Sequence, residues 1–336
     1  MRCFFPPTFI ILTIALNLVS LRAFPDSGIQ SQDEKKTETG PVQSSLPLKL
    51  SGYTQFQFVE KNESPDTFSI KRARLSLSGN LLKKINFKIQ VDLTKSPVLL
   101  DALAQVTFRP EFNIRAGQFL VPFSLESLTP VPELLTINRS QTVEKLAPGR
   151  DNGAIGRDIG VVAYGSYSLF EYAAGLVNGS GINRADNNGH KDIVGRLIAR
   201  PFKAISLGFS FYDGRQTVTG NTTNLLRNKL GLEMAINYQR FNFATEFIQA
   251  QDGQTKKHGW YALGAYSAIK KKFQLVGRID TINLNLTLPG EKTTIRTAGT
   301  NWFITSKSKI QVNYEYYREE TGPNHHAALV QLQLGF

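Results

Sequence analysis

From Leu48 to the last residue, apolar and polar side chains alternate along the chain with a period of two. In KINFKIQVDL, residues 84–93, Ile85, Phe87, Ile89, Val91 and Leu93 share one face of an extended strand, and Lys84, Asn86, Lys88, Gln90 and Asp92 share the other. LDALAQVTFR, residues 100–109, sets Leu100, Ala102, Ala104, Val106 and Phe108 against Asp101, Gln105, Thr107 and Arg109. The chain closes in the same way. In AALVQLQLGF, residues 327–336, Ala328, Val330, Leu332, Leu334 and Phe336 oppose Gln331, Gln333 and Gly335. Such a strand meets a different medium on each face, and each segment has about the ten residues that a tilted strand needs to cross a bilayer.

Sixteen segments of this kind are expected, from 48–59 to 326–336, among them 68–80, 99–109, 259–270 and 309–319. The count is even, as single-chain bacterial barrels require. Short links at 79–84, 109–112, 166–170, 201–204, 239–241, 269–273 and 305–309 alternate with mostly longer ones, such as 177–192 and 214–226. Short periplasmic turns and long outer loops produce this asymmetry, which a soluble β-sandwich has no reason to keep. Tyr53, Tyr164, Tyr167, Tyr238 and Trp302 fall near the turn ends, and Tyr172, Tyr212, Trp260 and Tyr261 near the loop ends, which suits two interfacial aromatic girdles. The expected fold is all-β: a transmembrane antiparallel β-barrel of 16 strands. It must close, because an open edge in hydrocarbon leaves backbone N–H and C=O groups without partners. The final Phe336 then reads as the C-terminal aromatic of an outer-membrane strand.

The N-terminal stretch changes the picture by setting the compartment. Arg2, an apolar run from Phe9 to Val19 and a small residue at Ala23 read as a signal peptide over 1–23, since the run is too short to span a bilayer. Residues 24–47, polar and poor in aromatics, read as a flexible periplasmic spacer before the barrel at 48–336. The one cysteine, Cys3, lies in the segment to be removed, so the exported chain has no disulfide and no Cys-based metal site. Lys and Arg total 39 against 27 Asp and Glu, a formal charge of +12. These cations are scattered singly, with no basic helix, zinc-finger spacing or RNP-type motif, so nucleic acid is not the partner. His190, His258, His325 and His326 show no H-E-x-x-H spacing, and no cofactor is implied. A barrel enzyme, protease or lipase, stands as the reading from a different class, without a motif that orients a nucleophile.

FSIKRARLSLSGNL (68–81), LDALAQVTFRPEFNIRAGQFLVPFSLESL (100–128), GRDIGVVAYG (156–165) and GLVNGSGINRADNNGHKDIVGRL (175–197) follow the order of the phosphate-selective porin O and P family. The chain resembles that family over roughly residues 50–215. The resemblance implies a sixteen-stranded homotrimer in outer-membrane lipid, passing small hydrophilic solutes and preferring anions such as phosphate or polyphosphate. A nonselective pore is the alternative within the class. It also implies that the long connection 120–156 folds inward as a constriction, as the third loop of porins does.

Strand parity nominates the lumen-facing cations. Arg72 and Arg74 stand opposite Ala73 and Leu75; the next strands add Lys88, Arg109 and Arg115, and later ones Arg196 and Arg200. Residues 68–119 hold nine basic residues against three acidic ones, a bias that favours anions in a pore wall. The competing reading is that these cations pair with Asp92, Asp101 and Asp192 and only hold the wall together. The 120–156 connection adds Arg139 to the candidate anion contacts, and carries Arg139, Lys145 and Arg150 against Glu126, Glu133, Glu144 and Asp151. That acidic content points to general anion preference rather than tight phosphate selection.

Overall fold

The computed structural model describes residues 48–62, 64–217 and 224–336; the expected signal peptide and spacer lie outside the described residues. One antiparallel sheet of seventeen strands accounts for nearly all of the regular structure described. The strands are β1 (Leu48–Lys61), β2 (Ser64–Leu82), β3 (Ile85–Asp92), β4 (Leu99–Arg109), β5 (Phe112–Leu120), β6 (Arg157–Tyr167), β7 (Phe170–Val177), β8 (Asp192–Phe202) and β9 (Ile205–Asp213). They continue with β10 (Arg215–Thr217), β11 (Asn224–Tyr238), β12 (Phe241–Asp252), β13 (Thr255–Ile269), β14 (Phe273–Asn283), β15 (Lys292–Phe303), β16 (Lys309–Glu319) and β17 (His325–Gly335).

Sixteen of these close into a ring. β1 pairs with β2 on one side and with β17 on the other, from Tyr53 opposite Gly335 to Lys61 opposite Ala327. Every strand of the ring therefore has two neighbours, and no edge meets lipid. β9 pairs directly with β11, and the short β10 pairs only with the start of β11. β10 thus lengthens one hairpin without entering the ring; three residues carry too little periodicity to be seen in the sequence. β4 and β16 coincide with the alternating segments 99–109 and 309–319. β2 and β13 each start four residues before their alternation does, because the backbone ladder continues where the side-chain pattern fades.

Parity is kept around the ring. Leu230, Leu232, Val330, Leu334 and Phe336 are exposed on the outside, while Gln331 and Gln333 are buried on the other face. It also corrects the aromatic girdles. Tyr167, Tyr238, Trp260 and Trp302 are outward and exposed, but Tyr53, Tyr212 and Tyr261 are buried on the interior face. Closeness to a strand end does not make a girdle residue; the side of the strand decides.

If the short turns face the periplasm, an epitope inserted within 185–188 is labelled on intact cells and one at Lys271 is not. Surface labelling at Lys271 would reverse the orientation.

The 120–156 connection joins β5 to β6 and carries two short helices, α1 (Leu125–Leu128) and α2 (Gln141–Leu146), with a 3-10 turn at Val131–Glu133. Ser124 and Ser140 cap the helices, accepting from the Ser127 and Val143 N–H at 3.1 Å each. Val143, Leu146 and Ala147 share an apolar core with Phe119, Val121 and Phe123, and with Ile248, Leu263, Val276 and Ile282 of β12–β14. Those barrel residues lie on the face opposite the exposed Phe247, Trp260 and Leu275. Here both faces of the wall are apolar, one toward lipid and one toward the connection.

Candidate functional site

Carboxylates of one half of the barrel hold the 120–156 segment. Glu246 of β12 accepts from the Leu125 and Glu126 N–H at 3.0 and 2.7 Å, and from the Tyr261 hydroxyl at 2.7 Å. Asp280 of β14 accepts from the Gln141 N–H at 2.6 Å and the Thr142 hydroxyl at 2.9 Å. The first N–H groups of a helix have no partner within it, so each carboxylate satisfies donors that would otherwise be stranded. Asn313 Oδ1 accepts from the Ile137 N–H at 2.7 Å, and Lys309 Nζ donates to the Leu134 carbonyl at 2.6 Å.

Two of the segment's own acids are consumed in the same way. Glu126 accepts from the Ser140 N–H at 2.8 Å and lies 3.6 Å from Arg278. Asp151 meets Arg227 at 2.6 Å and Lys229 at 2.7 Å. Burial alone would raise the Asp151 carboxyl, but these two cations hold it below the usual carboxylate range. Gly156, at φ +78°, returns the chain to β6; a Cβ there would stand 3.1 Å from Ser127 Oγ and 3.2 Å from Arg150 Nε.

Against the opposite half of the wall the segment encloses a cavity of about 440 Å³. Arg72, Arg74 and Lys88 border it from the strands, Lys95 from the β3–β4 connection, Arg139 and Arg150 from the segment, and Arg157 from the start of β6. Seven cations thus face one carboxylate, Glu144. The compensating acids sit behind the surface. Asp92 holds Arg74 at 2.9 Å, and Asp101 bridges Lys88 and Arg157 at 2.7 Å each. Glu144 contacts Arg150 at 3.0 Å and Arg139 at 3.9 Å. Arg72 donates to the neutral Gln55 Oε1 at 2.8 Å, and among the described residues no carboxylate lies within 4.0 Å of it. Burial lowers the Arg139 guanidinium from its ordinary value, against Glu126 and Glu144, and draws Arg150 down to about 9. Both remain cationic at neutral pH.

The predicted residues therefore separate into three groups. Arg72, Arg74, Lys88 and Arg139 share the cavity. Arg115 borders two further cavities, of about 510 and 470 Å³, with its guanidinium 4.9 Å from the centre of the Tyr164 ring; Arg196 borders the second of these and donates to Glu233 at 3.3 Å. Arg109 and Arg200 border none of the three. Arg109 is solvent-exposed, 4.0 Å from Glu111, and Arg200 pairs at 2.7 Å with Glu171, both near short turns. Lys95, Arg150 and Arg157 were not nominated from the sequence. Parity would turn Arg157 to the side of the exposed Val161, but at the strand's first residue the side chain reaches Asp101 instead.

A closed barrel with an apolar exterior and a charged interior is an outer-membrane β-barrel protein, the class to which diffusion channels belong. The chain matches the family model for phosphate-selective porin O and P over residues 50–225 and 184–336, and it belongs to that family of outer-membrane porins. The match reaches the last residue, beyond the stretch whose motifs are legible by eye. Compared by sequence with curated proteins, the chain matches none. Among solved structures it is similar to the anion-selective porin from Comamonas acidovorans, at 12% identity and a TM-score of 0.68, covering 86% of this chain and 99% of that one. It is also similar to the outer-membrane channel DcaP of Acinetobacter baumannii, at 11% identity and a TM-score of 0.64 over 86% and 97%. OmpT, an outer-membrane protein of Vibrio cholerae in its trimer form, gives 12% identity and a TM-score of 0.63 over 86% and 99%. At these identities the likeness is one of fold.

Proposed function

We propose that this porin is a passive, anion-preferring diffusion pore with no catalytic role, in which the 120–156 segment narrows the path and presents Arg139 and Arg150 to it. The observation that carries this reading is the cavity bounded by seven cations and one carboxylate. Arg72, Arg74, Lys88 and Arg139 attract anions there, and Arg115 and Arg196 continue the basic wall through the adjoining cavities. Arg109 and Arg200 act at the turn-side mouth. Because the guanidinium fork is always charged and can offer two parallel donors, it suits phosphate and carboxylate alike. A conducting wall must also release what it holds, and pairing with Asp92 and Asp101 tempers its field. Family membership supports a homotrimer admitting phosphate, and an anion-selective porin among the structural neighbours accords with the charge preference. Residues 1–23 serve as export signal and 24–47 as spacer before the barrel.

The purified protein in planar bilayers across a potassium chloride gradient should show a reversal potential of anion sign. Arg72→Gln, which removes a cavity-lining strand cation held by the neutral Gln55 amide, should move that potential toward zero with conductance retained. A cation-preferring wild type, or an unchanged variant, contradicts the basic-wall mechanism.

A further inference from the structure

The cationic wall faces an apolar one. In the same cavity as Arg72 and Lys95 stand Leu120, Leu128, Pro130, Val131 and Pro132. Leu120 borders all three cavities, and Phe119 borders the second and third, so an apolar strip follows the basic path. Leu120, Leu128 and Val131 are only half-buried, which leaves part of each side chain facing the cavity.

The strip is held in place by its surroundings. Pro130 and Pro132 fix their backbone torsions on either side of Val131. Arg139 Nη2 donates to the Thr129 carbonyl at 2.6 Å, and Lys309 Nζ and Gln311 Nε2 donate to the Leu134 carbonyl at 2.6 and 3.3 Å. The stretch from Thr129 to Leu134 is therefore tied at both ends.

A rigid apolar surface beside cations contributes nothing to an inorganic anion, which keeps its hydration on that side. It does contribute to an anion with an apolar body, at about 25 cal/mol for each Å² removed from water. Size agrees: the cavity is of the order that holds small organic molecules, and an inorganic ion of a few water volumes, about 30 Å³ each, fills a minor part of 440 Å³.

We propose that the preferred solute is a small organic carboxylate with an apolar or aromatic body. Its carboxylate sits on the Arg72 donors that Gln55 leaves unused and its body on Leu128 and Val131. This rests on the anion-preferring reading and names its substrate class.

The test uses the purified full-length porin in planar bilayers, with sodium benzoate, sodium acetate or sodium phosphate added to a chloride solution. The concentration that halves the chloride current is read for each. Benzoate should act at a concentration roughly tenfold lower than acetate or phosphate, the advantage of partly burying a ring. Leu128→Asn with Val131→Thr, which nearly keep volume while adding polar atoms, should shrink the benzoate-to-acetate advantage to about twofold. Arg72→Gln should weaken benzoate and acetate together. Phosphate or acetate acting at or below the benzoate concentration overturns the inference, as does an advantage unmoved by the double variant, and in either case the anion-preferring pore stands. A sodium-over-chloride preference, measured before any organic anion is added, overturns the underlying reading as well.

Discussion

Phe209→Arg should leave the barrel largely unassembled, whereas Ser206→Arg on the same strand should fold. Phe209 lies in the middle of β9 and is exposed on the outer face beside Leu207 and Phe211, while Ser206 lies on the interior face with the buried Ser210 and Tyr212. Arginine toward the bilayer midplane costs about 2–4 kcal/mol in outer-membrane barrels, roughly a 30- to 700-fold loss in the folded-to-unfolded ratio at 1.4 kcal/mol per tenfold. The loss of the Phe209 ring from lipid adds to it. In the lumen the same side chain meets water and pays no such penalty. The heat-sensitive mobility of the folded barrel on gels, after refolding into vesicles, reads the folded fraction directly. Equal loss in the two variants would mean that the assigned parity of β9 is wrong.

Glu246→Ala with Asp280→Ala should release the 120–156 segment from the wall while the barrel itself persists. The first substitution strands the Leu125 and Glu126 N–H groups and the Tyr261 hydroxyl; the second strands the Gln141 and Thr142 N–H groups and leaves the Thr142 hydroxyl only the Thr281 carbonyl. Leaving a buried donor without its acceptor costs about 1–3 kcal/mol, so the five together outweigh any single contact that still docks the segment. The strand ladders on either side of β12 and β14 are untouched, because these carboxylates take no part in backbone pairing. Single-channel current should rise, with larger fluctuations, and anion preference should fall as Arg139 and Arg150 leave the cavity. A folded double variant with wild-type conductance and selectivity would show that the segment neither narrows the path nor sets its charge.

Both expectations depend on the same division of labour. Glu246 of β12 and Asp280 of β14 are occupied in holding the segment, and the segment's Glu126 and Asp151 are occupied in being held. What remains toward the cavity is positive but for Glu144. Counting three cations against four acids between 120 and 156 weighs all seven alike, and so underestimates how basic the cavity wall is. The two readings of the strand cations, attraction for anions or internal pairing, also turn out not to exclude each other. Arg74 is tied to Asp92, whereas Arg72, two residues away on the same strand, contacts only an amide.

The chain's own order of residues determined the period-two segments, their number in the ring, which face of each meets lipid, and the concentration of cations between 68 and 119. These follow from local geometry, since successive strand side chains must point apart and a bilayer accepts only one kind of face. Tertiary structure decided the rest. Glu246 and the N–H of Glu126 are far apart in the chain, as are Asp280 and Gln141, and nothing in their spacing brings them together. Parity alone could not foresee that Arg157 would turn toward Asp101, nor that Ile248 and Leu263 would pack an apolar segment on the lumen side. Pairings across the barrel are set by closure of the ring and by the path of the 120–156 connection. Periodicity reports which side of the wall a residue occupies, and only the closed fold determines what stands opposite it.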